Sequence, residues 1–259
     1  MKNWYLFPPY TQNLQFDEKW DFVYQKEKNS SSNTTGDCWD YVGYNPDNKL
    51  VLSVVPGKRN RENTNQVIAE CKQRTSGYMD MITTDEYPGY KTAILNNYGV
   101  IEPIDPLEVK KVGRPKKPKL VAPDGLNYCV VHKTRVKGRV VNVEIKTIYG
   151  NQDKLTDSGT SKAVNAAFIE RYNGTDRNSN SRKVRKGYMF SKDWVMHQLA
   201  TYFICYSYNF CWPVRTLCPT KSADAKYKIT PAMSAKLTDH IWDIREWLSV
   251  PVVSLEYDI

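Results

Sequence analysis

Phe16-Asp17-Glu18-Lys19-Trp20-Asp21-Phe22-Val23-Tyr24 sets charged residues among aromatics in a strand-like run. Side chains along a strand alternate, so Phe16, Glu18, Trp20, Phe22 and Tyr24 share one side, and Asp17, Lys19, Asp21 and Val23 the other. A half-buried carboxylate is costly unless it is paired, hydrogen-bonded or bound to a metal. Two readings follow: an edge strand with its polar face in water, or a central strand that carries a site. The residues further along decide between them.

Downstream, residues 26–36 form an Asn/Ser/Thr-rich loop, and two β-favouring runs at 38–44 and 49–55 are joined by Asn45-Pro46-Asp47-Asn48. Together with the acidic run they predict an antiparallel meander ended by Gly57. Asn60 is placed to cap a helix over 61–74 with Val67, Ile68 and Cys71 on its apolar stripe. A strand over 79–84 then ends at Asp85-Glu86, before Tyr87-Pro88-Gly89-Tyr90 opens a second helix to about Asn97. A carboxylate where a strand turns into a helix is where open α/β sheets place their sites; a plain helix cap is the other reading of Asp85.

Residues 100–127 are rich in Pro and Lys and predict an irregular insertion. A hairpin follows over 128–136 and 139–149, turning at Lys137-Gly138 and carrying Lys133, Arg135, Lys137 and Arg139. Residues 151–161 read as a short helix and loop. A helix over 163–173 carries Glu170 and is weakened or ended by Gly174; residues 176–186 are crowded with cations. Ser191 is positioned to cap a long helix to about Phe210, with Val195, Leu199, Tyr202, Tyr206 and Phe210 at core spacing. Thr230-Pro231 and Thr238-Asp239 mark two last helices, the second bearing Ile241, Ile244 and Leu248 and stopped by Pro251.

Lys plus Arg number 37 against 28 Asp plus Glu, a net charge of +9 that favours polyanionic partners, nucleic acid first. Six cysteines form no C-x-x-C pair and the only histidines are His132, His197 and His240, which is no zinc-site spacing. No signal peptide opens the chain, and polar residues interrupt its longest apolar stretch, 194–214. The expectation is an intracellular protein with reduced thiols and no membrane span.

Strand, strand, strand, helix, strand, helix, insertion, helix, with acids on the first strand, after the fourth and on a late helix, is a ribonuclease H-like plan: an α/β fold with a mixed sheet flanked by helices. In such sites two divalent ions about 4 Å apart activate a water or hydroxyl and stabilise the departing oxygen of a phosphodiester, and oxygen ligands suit Mg²⁺. The segments Asp17-Glu18-Lys19-Trp20, Thr83-Thr84-Asp85-Glu86-Tyr87-Pro88-Gly89-Tyr90, Phe168-Ile169-Glu170-Arg171-Tyr172-Asn173 and Phe190-Ser191-Lys192-Asp193-Trp194 resemble the catalytic half of insertion-sequence-one family transposases. These are DDE enzymes with a ribonuclease H-like core, and the resemblance runs from about residue 14 to 215.

The resemblance implies that Asp17, Asp85 and Glu170 are the catalytic metal ligands, holding two Mg²⁺ ions with Mn²⁺ as a substitute. It also implies DNA cleavage and strand transfer, a homo-oligomer assembled on DNA, and a cytoplasmic, nucleoid-associated location. Asp17 and Glu18 face opposite sides of the sheet, so only one is expected to serve a metal pair, with Glu18 as the fallback. Arg171 and Asn173 follow the Glu as candidate DNA contacts or supports, against a plain surface role; Arg177, Arg182, Arg185 and Lys192 are candidate phosphate contacts, against a solvated face. His197 reads as a packed or capping histidine.

The chain departs from the family in the 85-residue step from Asp85 to Glu170 (170 minus 85), which the insertion accounts for. Within the insertion, Gly113-Arg114-Pro115 beside Lys116 and Lys117 resembles an AT-hook, with a basic linker as the other reading. The family's zinc-binding and helix-turn-helix region has no counterpart among these residues; the expectation is the downstream product of a split reading frame, with a separate zinc-finger and helix-turn-helix protein as partner, or a truncated copy. The expected divisions are a lead-in at 1–13, a catalytic core at 14–99 and 128–215, the insertion at 100–127 and a helical segment at 216–259. Two competing activities remain: a catalytically silent DNA-binding regulator, and a general ribonuclease H-like nuclease.

Overall fold

The structure, a computed structural model, describes residues 11, 13–75, 81–102, 118–151, 163–184, 186–218 and 228–250. Its first strand, β1 (Asn13–Val23), contains the acidic run and is central. On one side it pairs antiparallel with β2 (Gly36–Asn45), which pairs antiparallel with β3 (Leu50–Gly57). The meander closes where Asn45 Oδ1 accepts from the amides of Asp47 and Asn48, at 2.8 and 3.2 Å, satisfying turn donors. On its other side β1 runs parallel to β4 (Met81–Thr84), with Phe16 opposite Thr84 as the last pair.

Beyond β4 lies a parallel strand, β7 (Tyr128–Val136), and at the edge its antiparallel partner β8 (Arg139–Tyr149). The six-stranded mixed sheet therefore has the order β3-β2-β1-β4-β7-β8. The hairpin turns as expected at Lys137-Gly138, both with positive φ (48° and 80°), the geometry that follows strand twist in a two-residue turn. Short β5 (Val100–Glu102) and β6 (Lys119–Val121) form a separate two-stranded ribbon at the two ends of the insertion.

Period-two alternation splits the core into two layers. Leu14, Phe16, Tyr41, Leu50 and Leu52 pack against Val67 and Ile68 of α1 (Arg61–Gln73) and Tyr90 and Ile94 of α2 (Pro88–Tyr98). Val42, Val51, Val54, Met81 and Val131 pack against Ile169 and Tyr172 of α3 (Ala167–Ser179) and Cys205 of α4 (Trp194–Cys211). Each fully buried side chain of this size contributes about 1.5–3 kcal/mol, so the two layers hold the sheet from both faces. Asn60 caps α1 as expected, its Oδ1 accepting from Asn63 N at 2.9 Å.

One pair of alternatives, a helix weakened or ended at Gly174, is decided for the first, and three expectations are corrected. α3 runs through Gly174 to Ser179, because tertiary contacts on its inner face outweigh the glycine's cost of about 1 kcal/mol. No atom lies within 4 Å of a Cβ built on Gly174, so Gly174→Ala is expected to raise stability by about 0.5–1 kcal/mol in urea melts. α4 is capped by Asp193, whose Oδ1 accepts from Met196 N at 2.8 Å, while Ser191 Oγ bonds His197 Nδ1 at 2.8 Å.

The core spacing assigned to α4 is also only partly met. Val195 and Leu199 are exposed, and the buried stripe is His197, Thr201, Cys205 and Asn209. Each stripe residue has a bond to make; Asn209 accepts from Val51 N at 2.9 Å and donates to Val51 O at 2.8 Å, riveting α4 to β3.

Thr230 caps a single turn, α5 (Pro231–Ser234). The last helix, α6 (Ile244–Ser249), starts from Asp243 and not from Thr238-Asp239, because Thr238 Oγ1 instead accepts from Trp242 Nε1 at 2.8 Å. Residues 152–161 of the short helix and loop read at 151–161, and Pro251, fall outside the described residues. All six cysteines are free, and among the described residues no helix is long and apolar enough to cross a membrane.

Candidate functional site

The polar face of β1 is matched residue for residue by α3. Gln15 donates to Asn165 O at 2.6 Å and accepts from Ile169 N at 2.9 Å, fixing where α3 begins. Asn173 donates through Nδ2 to Asp17 Oδ2 at 2.7 Å, and Lys19 pairs with Asp176. Positions 169, 173 and 176 lie on one side of a helix, as 15, 17 and 19 lie on one side of a strand. Asn173, expected among DNA contacts or supports, is buried; its amide holds Asp17 and is withheld from solvent.

Behind that contact lies a buried ionic group. Lys183 bonds Asp40 Oδ2 at 2.6 Å and Asp176 Oδ2 at 3.3 Å, Lys19 joins both carboxylates, and all four side chains are at most 1% exposed. Burial alone would raise the Asp40 and Asp176 carboxyls, but the two ammonium groups outweigh it and hold both below the usual range. Cys38 and His197 also offer ligand atoms beside Asp40. With two lysines already neutralising that carboxylate, the group suits no cation.

The site itself opens where β4 stops. Because the β1–β4 pairing ends at Phe16 and Thr84, the flank of β1 level with Asp17 and Glu18 is not covered by a continuing strand, and the chain turns there through Asp85. Oxygens of Asp17, Glu18 and Asp85 all lie within 4.8 Å of one another. The expectation is that only one of Asp17 and Glu18 serves a metal pair; the two side chains leave opposite faces of β1, yet oxygens of both come within reach of Asp85. Asp85 is not the helix cap; its Oδ1 accepts from Tyr87 N at 3.1 Å in an Asx turn before α2.

Glu170, the third expected ligand, sits on the first turn of α3 with its carboxylate on Lys133 of β7. Its negative charge still acts on Asp17 and Asp85. The neighbouring Glu86 is held by His132 and, at 2.6 Å, by Lys146, so the β7–β8 hairpin clasps both flanks of the site. Arg59, absent from the sequence reading, meets Glu18 Oε1 at 2.5 Å.

Three crowded carboxylates cannot all ionise freely. Asp17 is pushed up to about 7, by burial first and then by the charge of Asp85, against the pull of the Asn173 bond. Glu18 is also pushed up to about 7, by burial and then Asp85, with Arg59 opposing. Asp85 is raised, again chiefly by burial. Glu18 Oε2 is buried without a hydrogen-bond donor. Crowded oxygens, one of them unpartnered, fit a hard divalent cation such as Mg²⁺ or Mn²⁺.

The raised carboxyls give a pH signature. The folded site keeps protons that the unfolded chain releases near pH 4, so stability contributed here falls as pH rises from about 4 to about 7. In chelator, the melting temperature of the wild type is expected to drop between pH 5.5 and 8 more than that of Asp17→Asn. Mg²⁺ is expected to restore more stability at pH 8, where protons no longer compete. Equal slopes for the two proteins would rule the crowding out.

Of the expected cation contacts, Arg171 is exposed and lines a concavity with Gly174, Thr175, Asn178, Ser179 and Trp212. Arg177 and Arg182 are half-buried, and Lys192 is exposed with its ammonium over the Phe190 ring. Arg114, Lys116, Lys117 and Arg185 fall outside the described residues.

No protein-family model and no curated protein matches this sequence. Among solved structures, similarity is found to a chain of the cryo-EM structure of a simian T-cell lymphotropic virus intasome in complex with PP2A regulatory subunit B56 gamma. The TM-score is 0.39 at 12% identity, over 89% of this chain and 55% of that one. This chain thus spans little more than half the length of that neighbour.

Proposed function

We propose that the chain is a DNA-processing enzyme of the DDE transposase type, which hydrolyses a phosphodiester and directs the freed 3′-hydroxyl at target DNA. The observation that carries this reading is the meeting of Asp17, Glu18 and Asp85 oxygens where β4 ends beside the middle of β1, with Glu170 on the helix that grips Asp17 through Asn173. The resemblance of the four acidic and aromatic segments to insertion-sequence-one transposases supports it, as do the sheet order and the excess of cations.

Asp17 and Asp85, with Glu170 or Glu18 completing the set, would hold two Mg²⁺ ions, with Mn²⁺ as a substitute. Bound there, the cations supply Lewis-acid charge for the phosphodiester and its attacking oxygen. The chain's own residues do the positioning. Asn173 fixes the rotamer of Asp17, the Asx turn fixes Asp85, and Lys133 holds Glu170 beside them. Arg135, Lys137 and Arg139 extend from the site along an exposed hairpin arm, and with Arg171, Arg177, Arg182 and Lys192 they offer charge to the phosphate backbone. A homo-oligomer on DNA, a separate zinc-finger and helix-turn-helix protein, and association with the nucleoid belong to the same reading.

The test incubates the full chain with duplex DNA and Mg²⁺ or Mn²⁺. Nicks that leave 3′-hydroxyl ends, followed by their joining to a target plasmid, are expected. Cutting without joining would mean a general nuclease, and binding without cutting in either metal would mean a regulator.

A further inference from the structure

Arg59 lies between β3 and α1, beside the carboxylate cleft. Its guanidinium carbon is 4.5 Å from the Trp39 ring centre and 4.3 Å from that of Tyr87, and one amino group meets Glu18 Oε1. The Glu18 side chain is 2% exposed, whereas that of Arg59 is 40% exposed. A cation serving only to neutralise a buried carboxylate has no need to sit half in solvent. The bracket around it is itself fixed. Tyr87 packs edge-on to Tyr90 at 5.6 Å, and a Cβ at Gly89 would come within 2.6 Å of the Tyr87 ring, so only glycine lets that ring lie there. Tyr87 also takes its backbone position from the Asp85 turn.

A guanidinium held between two aromatic rings leaves its edge as the direction of donation, and that edge matches the oxygens of a phosphate. Glu18 takes one donor, and among the described residues Arg59 donates to no other acceptor. A DNA strand entering a cleft of three carboxylates meets repulsion that a fixed cation at the rim offsets.

We propose that Arg59 is a phosphate-binding residue of this cleft, receiving the backbone phosphate of the DNA strand whose neighbouring bond lies at Asp17 and Asp85. This rests on the DNA-processing reading above. The competing role is simple neutralisation of Glu18.

The two roles separate in the full-length chain and its variants Arg59→Gln, Arg59→Lys, Glu18→Gln and the double variant Glu18→Gln/Arg59→Gln. The probe is a labelled DNA duplex in Ca²⁺, titrated across a salt series. A phosphate contact predicts about tenfold weaker binding for Arg59→Gln, and a slope of log affinity against log salt reduced by about one. Both changes should persist in the Glu18→Gln background, with Arg59→Lys between. Unchanged affinity and slope, with cleavage by the wild type intact, would overturn the Arg59 assignment alone. Arg59-dependent binding with no cleavage would support the assignment and overturn the enzyme reading alone.

Discussion

Asp17→Asn and Asp85→Asn are each expected to lower divalent-dependent DNA cleavage by at least about 10³-fold while leaving the fold intact. The magnitude follows from losing several kcal/mol of charge stabilisation when a ligand to a catalytic cation becomes neutral. Burial and mutual repulsion already penalise the charged form of both side chains, so the neutral, near-isosteric amides relieve crowding and the variants should melt no lower than the wild type at pH 8. The same assay ranks the other two carboxylates. Glu170→Gln is expected to lose activity as deeply as Asp17→Asn if its carboxylate leaves Lys133 for the cations when DNA is bound. Glu18→Gln is then expected to lose less, roughly 10–100-fold, as a support to the site. The reverse order would make Glu18 the third ligand and Glu170 an anchor for the hairpin.

Lys183→Met is expected to destabilise the protein by about 3–5 kcal/mol, because it strands Asp40 and Asp176 with one ammonium between them in a group with almost no solvent exposure. The loss should appear as a lower urea midpoint at unchanged slope. Lys183→Met/Asp40→Asn, which removes one charge of each sign, should recover a substantial part of it. The sign of the pH dependence is opposite to that of the Asp17, Glu18 and Asp85 group. Asp40 and Asp176 are held below their unfolded values, so their stabilisation is present above about pH 4 and is lost as acid protonates them. A cost below about 1 kcal/mol for Lys183→Met would mean that the group is hydrated and adds little.

Much of this was legible in the sequence. The meander, the helix capped by Asn60 and the hairpin at 128–149 follow from alternation and turn residues, which act locally. Asp85 was legible as a carboxylate where a strand turns into a helix, and the order of elements together with the family resemblance paired it with Asp17. Gln15, Asp17 and Lys19 at period two, answered by Ile169, Asn173 and Asp176 at helical spacing, form a pattern that a sequence displays once the two elements are known to touch.

Other features were not legible for equally physical reasons. Helical periodicity reports which residues of α4 share a side, but not which side faces inward. There the polar stripe won because β3, α3 and Ser191 offered it hydrogen bonds. Arg59 was hidden because its partners come from β1, β2 and the Asp85 turn, all remote in sequence. Alternation allowed only one of Asp17 and Glu18 and left Glu18 as the fallback, because it says nothing about a long side chain reaching past a strand edge.

The most direct test of the central claim is Mn²⁺ binding, followed by loss of the free-ion paramagnetic signal at pH 8. The wild type is expected to remove Mn²⁺ from solution, and Asp17→Asn and Asp85→Asn to bind it at least tenfold more weakly while remaining folded. Equal binding by all three folded proteins would contradict a cation site where β4 ends beside Asp17 of β1.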